Sequence, residues 1–156
     1  MNNRIERIER KSPIIKDWPI KLNLGCGKSI RKGYIGLDIK DFGQELVWDM
    51  EENLPFPDKS VEAIFTSHVF EHLDNFMGVM NECWRVLTKI GQLHIVVPHL
   101  KHIRAYVPVH KIFFTKYTFR FFERDDVEIY NINPWKIKEI VTNERMDIHC
   151  WMNPIK

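Results

Sequence analysis

The sequence predicts an α/β fold, a single domain built on a mostly parallel sheet. Five apolar stretches of strand length are bounded by Gly, Pro, Asp or Lys and are rich in β-branched residues. They are IKLNLG (20–25), YIGLDI (34–39), LVWDM (46–50), VEAIFTS (61–67) and QLHIVVP (92–98). Their near-continuous hydrophobicity is typical of parallel strands that are covered on both faces. A helical pattern between the last two stretches supplies the crossover that a parallel pair requires.

That helix is predicted to run from about Asn75 to Lys89. Asp74 is suited to cap its start, and Gly91 lies just past its end. Five apolar residues repeat at helical spacing along it: Phe76, Val79, Met80, Cys83 and Leu87. We therefore assign this stripe to the core rather than to a cofactor site.

The carboxyl-terminal third is predicted to hold an aromatic-rich helix and two late strands. HKIFFTKYTFRFFERDD (110–126) suits a helix whose packing residues are Ile112, Phe113, Tyr117, Phe121 and Phe122. VEIYNIN (127–133) and MDIHCWM (146–152) have strand character. PWKIKEIV (134–141) is predicted to join them through a turn of helix.

Length and composition favour one ordinary globular domain. The chain has 156 residues, of which 44% are apolar and 28% charged. We expect an amino-terminal segment over 1–19 and the folded domain over 20–156. There is no apolar run of membrane-spanning length and no signal-peptide pattern at the amino terminus, so we expect a cytoplasmic protein without membrane contact. Three cysteines far apart argue against a disulfide framework and a Cys-based zinc site.

Charge is unevenly distributed along the chain, although the net charge is only +2. Positions 38–62 hold eight acids against two lysines, whereas positions 98–124 hold six Lys or Arg against one acid. This pattern indicates either two solvated faces of opposite sign or a basic rim that faces an anionic substrate.

A glycine turn and two acids mark the ends of the first three apolar stretches. Gly25-x-Gly27 ends the first, Asp38 lies near the end of the second, and Asp49 near the end of the third. Glycine lets a ligand approach the backbone, and an acid at the next strand tip can bind both hydroxyls of a ribose.

The ordered motifs LNLGCG, LPFPD, HxxEHL and RVL across about residues 20–100 resemble those of class I S-adenosylmethionine-dependent methyltransferases. The resemblance implies a Rossmann-like sheet, S-adenosylmethionine as cofactor, and a cofactor site made of Leu24, Gly25, Cys26, Gly27, Asp38, Ile39, Asp49, Met50, Ser67 and His68. The two glycines would line the methionine end and Asp38 would hold the ribose. Asp49 and Met50 would lie near the adenine, with Ser67 and His68 as the far wall.

Two departures from the family pattern matter. Lys28-Ser29-Ile30 replaces the third glycine of the turn, which a pyrophosphate would need, so a dinucleotide is disfavoured. Only about six residues are available for each of the first two crossovers, whereas a dozen or more are usual. We expect abbreviated crossovers without full helices. The sheet face left open would then be shielded by the amino-terminal segment or by a second subunit in a homo-oligomer.

The segment SHVFEHLDN (67–75) contains His68-x-x-Glu71-His72, the ligand pattern of an inverted zinc-protease helix. Because the preceding strand should end at about Ser67, the two histidines need not share a helical face, and we expect no metal. His68 is the expected pocket residue or general base, and His99 is a second candidate. Glu71 and His72 are expected to order the loop and cap the following helix.

The predicted function is methyl transfer by in-line displacement to an acceptor bound over the strand ends. Lys101, Arg104 and Lys111 would face the acceptor if the basic segment folds over the pocket. An anionic small molecule or glycan intermediate is favoured over RNA. Two alternatives stay open: a non-catalytic cofactor-binding subunit, and a nucleic-acid-binding module that uses the basic aromatic segment 101–124.

Overall fold

Seven strands form one sheet in the computed structural model, which describes residues 19–156. In chain order they are β1 (Ile20–Leu24), β2 (Ile35–Asp38), β3 (Leu46–Val47), β4 (Val61–Ser67), β5 (Leu87–Pro98), β6 (Trp135–Thr142) and β7 (Asp147–Pro154). Their spatial order is 3-2-1-4-5-7-6. Neighbours among the first five are parallel, and β7 lies antiparallel to both β5 and β6. The predicted mostly parallel α/β fold is confirmed.

The crossover helix α1 (Phe76–Val86) connects β4 to β5. Its cap is Asn75, whose side chain accepts a hydrogen bond from the N–H of Gly78, so the prediction of Asp74 was wrong by one residue. Glu71 and His72 do not cap α1 either, since they lie in a separate 3₁₀ turn at Phe70–His72. The helix ends before the predicted Lys89, because buried Leu87 already pairs with Val61 as the first residue of β5.

Neither of the first two crossovers contains a helix, as predicted. The connections over residues 25–34 and 39–45 are turns and irregular backbone throughout. With so few residues, each connection must run almost directly from one strand end to the next strand start. The third stretch is also shorter than predicted, with strand pairing at Leu46–Val47 alone.

The carboxyl-terminal third differs most from expectation. A short helix α2 (Lys116–Arg120) is followed by 3₁₀ turns at Phe121–Glu123 and Val127–Tyr130, so VEIYNIN is not a strand. PWKIKEIV was predicted as a helical turn but forms β6, where it pairs with β7. The strand at MDIHCWM is confirmed as the body of β7.

The aromatic residues of this region pack differently from the predicted stripe. Phe113 is 49% exposed and Tyr117 82% exposed, whereas Phe114, Phe119 and Phe122 are fully buried. The side chain of Thr115 accepts the N–H of Tyr117 and helps to form the capping box that fixes where α2 begins. Phe114 and Phe122 contact Phe76 of α1 edge-on and so join this region to the core.

The two faces of the sheet are covered unequally. One face carries fully buried side chains from four strands, including Leu22, Leu93 and Met152, and packs in one core cluster with α1 and the aromatic region. On the other face, Phe65 and His94 are half-buried. The segment predicted to shield that face, residues 1–18, lies outside the described residues. Among the described residues, no helix is long and apolar enough to span a membrane.

Candidate cofactor and acceptor site

The strand order reverses beside β1, where β2 lies on one side and β4 on the other. Ligands of open α/β sheets bind beyond the carboxyl ends of the strands at such a reversal. A cavity of about 340 Å³ lies there, lined by Gly25, Asp38, Ile39, Asp49, Met50, Glu51, His68, Val69, His72 and Leu73. Six of the ten predicted cofactor residues therefore line one cavity, although they come from four separate segments of the chain.

Gly25 lies where only glycine fits. Its φ is +63°, and a Cβ atom at this position would lie 2.3 Å from a methyl carbon of Val69. Gly27 also has positive φ, at +50°, but a Cβ there would meet nothing within 4 Å. The first glycine is therefore required for close packing of the turn against the residues that follow β4, whereas the second is required for backbone conformation alone.

Asp38 is held by the backbone of the turn. Its Oδ2 accepts the N–H of Gly27 at 2.9 Å, and its Oδ1 accepts the N–H of Lys40 at 3.1 Å. Each carboxylate oxygen has a second lone pair, so the side chain can still accept hydrogen bonds from a ligand's hydroxyl groups.

Asp49 and Glu51 form the acidic end of the same cavity. Asp49 Oδ1 accepts the N–H of Glu51 at 2.9 Å. Glu51 in turn accepts the N–H of Asn75 through Oε2 and so ties the loop after β3 to the start of α1. Glu51, Val69, His72 and Leu73 were not predicted to line the site. Each is within five residues of a motif residue, but the sequence does not show which way these loops turn.

Of the four remaining predicted cofactor residues, two line a second cavity, Leu24 lies in the core, and Gly27 lines none of the cavities described here. Cys26 and Ser67 line an adjacent cavity of about 400 Å³ together with Gly25 and His68. Leu24 is fully buried and lines none of these cavities, so it contributes to the core. Burial, with a smaller contribution from nearby Asp38, raises the pKa of the Cys26 thiol, so this cysteine is a neutral wall residue.

His68 follows β4 directly and has a φ of +55°, which is rare for a residue other than glycine. Its Nδ1 lies 3.3 Å from Oε1 of Glu71, and its Nε2 lies 3.7 Å from Oδ1 of Asp147. The contact with the Glu71 carboxylate raises the pKa of His68, and burial opposes this rise only in part. The two carboxylates therefore fix the ring between them and favour its protonation.

A third cavity, of about 240 Å³, lies on the far side of His68. It is lined by His68, Glu71, His72, Pro98, Arg104, Val107 and His110. Because His68 and His72 line both this cavity and the one beside Asp38, the two spaces share a wall. Arg104, Val107 and His110 bring part of the basic segment next to His68 at the strand ends.

The predicted acceptor residues are brought to this space only in part. Arg104 lines the third cavity, but Lys101 and His99 line none of the three. The Nδ1 atom of His99 accepts the N–H of Lys101. The amine of Lys111 forms an ion pair of 2.5 Å with Asp74, so its charge is largely satisfied outside the cavity.

Comparison with known proteins agrees with this geometry. The family model described as a methyltransferase domain matches residues 38–95. A chain of the Haloferax volcanii complex between the Trm112 methyltransferase activator and a methyltransferase superposes with a TM-score of 0.68 at 14% identity, covering 92% of this chain and 85% of that one. An S-adenosylmethionine-dependent methyltransferase from Archaeoglobus fulgidus gives 0.64 at 18% identity, covering 88% and 87%. Among curated proteins, none matches this chain by sequence.

Proposed function

We propose that this chain is a class I S-adenosylmethionine-dependent methyltransferase and that it transfers a methyl group to an oxygen or nitrogen of a small anionic acceptor. The observation that carries the proposal is the shared wall between two cavities. The larger cavity is lined by six of the ten predicted cofactor residues, and the smaller is lined in part by Arg104. A methyl group donated by a cofactor in the larger cavity would pass beside His68 to an acceptor in the smaller one.

The larger cavity suits the cofactor in shape and chemistry. Gly25 lines the cavity at the turn, and two carboxylates, Asp38 and Asp49, lie at or just after the ends of successive strands. Met50 and Leu73 line the same cavity and together offer apolar surface for a purine. The cofactor supplies a methyl group on a sulfonium, which is already activated for displacement. We propose that Asp38 holds the ribose hydroxyls, with Asp49 and Met50 beside the adenine.

The protein must then align the acceptor atom with the methyl carbon and the sulfur. If the acceptor carries a proton, the protein must also remove it. The acceptor atom forms a bond to the methyl carbon while the carbon–sulfur bond breaks and its electron pair stays on sulfur. We propose His68 as the base, because its neutral ring lies between the two cavities and carboxylates on both sides would stabilise the imidazolium that forms when it accepts the proton. In this proposal His99 has no catalytic role, since it lines none of the three cavities described above.

Arg104 is the basis for an anionic acceptor. Its guanidinium can bind a phosphate or carboxylate with two parallel hydrogen bonds. A cavity of about 240 Å³ has the volume of a small molecule or a single sugar unit. A small-molecule or glycan acceptor therefore fits this space better than a polymer does.

Burial of the aromatic residues weighs against the nucleic-acid alternative. Base stacking by the segment 101–124 would need exposed rings beside its cations. Phe114 and Phe119 stack on each other in the core with no exposed surface, so neither ring can stack on a base. The exposed rings of this segment are Tyr106, Phe113 and Tyr117.

A transfer assay tests the anionic acceptor. The full chain is incubated with methyl-labelled S-adenosylmethionine and a panel of sugar phosphates, each paired with its unphosphorylated parent. We expect label on phosphorylated acceptors, and a KM about two- to fivefold higher in Arg104→Gln, since an ion pair at an exposed arginine is lost. Lys101→Gln, which removes a nearby charge outside the cavities, should change little. Equal transfer to the neutral parents, or no effect of Arg104→Gln, would contradict the proposal.

A further inference from the structure

We propose that Glu71, His72 and His110 bind a divalent transition-metal ion at the wall between the two cavities. The oxygen and nitrogen ligand atoms of these three side chains lie within 4.8 Å of one another. Two histidines and one carboxylate are a ligand set of catalytic zinc sites and of other divalent transition-metal sites, which keep at least one position open. No metal was expected from the sequence because His68 and His72 need not share a helical face, and the sequence does not show that His110 lies next to Glu71.

The first supporting observation is the state of Glu71. Its side chain is buried completely, yet within residues 19–156 neither carboxylate oxygen has a hydrogen-bond partner. The one close polar group is Nδ1 of His68, at 3.3 Å from Oε1, which leaves Oε2 unpaired. A buried carboxylate oxygen that is left unpaired is costly, and a cation beside Oε2 would remove that cost.

The second observation is the orientation of the two imidazoles. Nδ1 of His72 lies 3.3 Å from the carbonyl oxygen of Val109, and Nδ1 of His110 lies 3.2 Å from that of Ala105. A nitrogen beside a carbonyl oxygen must carry the proton, so Nε2 of each neutral ring has a free lone pair. Metal-binding histidines are held by the same outer hydrogen bond, which fixes both tautomer and ring direction.

The backbone brings the third ligand to the other two. The carbonyl oxygen of Glu71 accepts the N–H of Lys111 at 2.7 Å and that of Ile112 at 3.2 Å. These bonds hold the segment after His110 against the turn that carries Glu71 and His72. The rings of His72 and His110 meet edge-on with centroids 4.6 Å apart. Movements of about 1 Å, within reach of side-chain rotation, would bring three ligands to the distances of about 2.0–2.2 Å that such ions require.

The position of the three ligands suggests a role for the ion in methyl transfer. This role rests on the function proposed above. All three ligands line the smaller cavity, together with Arg104. An acceptor whose anionic group binds Arg104 could place a hydroxyl on the open metal position. The ion would lower the pKa of that hydroxyl. Its proton would pass to solvent or His68, its oxygen would bond to the methyl carbon, and sulfur would keep the electron pair of the broken bond.

Calorimetric titration of the full chain with ZnCl₂, with neither cofactor nor acceptor present, tests the site directly. We expect one ion per chain, and affinity at least about tenfold lower in both Glu71→Gln and His110→Ala. The matched control is His149→Asn, which breaks up another close imidazole pair, His94 and His149, at 3.3 Å. Thermal unfolding of each variant without metal shows whether it is folded. If Glu71→Gln does not fold because its side chain is buried, His110→Ala alone tests the site.

Repeating the titration with CoCl₂ adds the visible absorption of a low-coordinate Co²⁺ site, which should disappear in His110→Ala. Absence of stoichiometric binding, or an equal loss in His149→Asn, would overturn the proposal. Because no methyl transfer is measured, the result is separate from that of the acceptor assay. Metal binding by a chain that methylates neutral acceptors would preserve this site and refute the anionic acceptor.

Discussion

At the scale of single residues, the two glycines of the turn after β1 are needed for different reasons, which the sequence motif does not distinguish. Gly25 needs both a positive φ and the absence of a Cβ, because Val69 occupies the space beside it. Gly27 needs the positive φ alone. The motif predicted that both glycines matter, but the neighbour that makes Gly25 irreplaceable comes from beyond β4 and cannot be seen in the local sequence.

Gly25→Ala should therefore weaken both the fold and cofactor binding. We expect the free energy of unfolding to fall by about 2–4 kcal/mol, which combines left-handed strain with overpacking. Gly27→Ala should cost about 1 kcal/mol, since it has strain without a clash. Chemical denaturation of the two variants measures the difference. Equal losses would show that the contact with Val69 is not what constrains the turn.

His94 gives a residue-scale prediction of pH dependence. Burial lowers the pKa of His94 to about 4, with further contributions from His149 and Arg31. Because the folded pKa is below the ordinary value of about 6.5, this residue contributes stability above pH 6.5. That contribution falls as the pH drops below 6.5 and is lost below about 4.

Since the ring is partly solvated, we expect this loss to be on the order of 1 kcal/mol. Urea denaturation at pH 7 and pH 4.5 measures it. His94→Phe keeps an aromatic ring stacked on Trp151 but cannot titrate, so its stability should change less between the two pH values. An unchanged difference in the variant would contradict the assignment.

At the scale of elements, two of the recognised motifs turn out to be joined by one side chain. Arg85 of α1, in the RVL motif, donates to the backbone carbonyls of Leu54 and Phe56 in the LPFPD motif. It also contacts Asp58 at 2.7 Å and Glu82 at 2.8 Å. These carboxylates raise the pKa of Arg85, which stays charged. The paired motifs therefore serve the attachment of a long loop to α1 rather than the chemistry.

Arg85→Met should destabilise the fold by about 2–4 kcal/mol, because four hydrogen-bonding groups lose a charged partner. Lys89→Met, a matched change on the exposed part of β5, should be within about 0.5 kcal/mol of wild type. Denaturation midpoints measure both. If Arg85→Met left stability unchanged, the loop would have to be held by Leu54 and Phe56 alone.

Element prediction from sequence succeeded where local pattern and tertiary packing agree. β4 was predicted with its observed bounds, since an apolar strand lies between clear turn signals. It failed at β6, whose run KIKEIV suits an amphipathic helix as well as an edge strand. Pairing with β7 decides between these two, and pairing is a long-range contact that the segment itself does not encode. The same limit hid His110, which a hydrogen-bonded loop brings next to Glu71.

At the scale of the whole molecule, the abbreviated crossovers leave one sheet face without helices from this part of the chain. Phe65, His94 and Trp151 lie side by side on that face, in register across three strands. Arg31 lies over the ring of Phe65 at 4.1 Å and covers a small part of it. Half-buried aromatic residues in such a continuous strip favour a covering element or partner.

We expect this face to be shielded by residues 1–18 or by a second subunit. Sedimentation velocity over a wide concentration range distinguishes the two. A second subunit would give a dimer that Trp151→Lys dissociates. Shielding within the chain would give a monomer that is destabilised by removing residues 1–18. A monomer at every concentration, with stability unaffected by that truncation, would contradict the expectation.

The central claim is that the cavity beside β1 and β2 binds S-adenosylmethionine through Asp38. Calorimetric titration of the full chain with S-adenosylhomocysteine, with NADH as the comparison ligand, tests it most directly. We expect binding of the first ligand alone, weakened at least about tenfold in Asp38→Ala because the ribose hydroxyls lose their acceptor. Asp41→Ala, which removes a neighbouring acid outside the cavity, should bind normally. No binding, or equal binding by wild type and Asp38→Ala, would show that Asp38 does not hold the cofactor in this cavity.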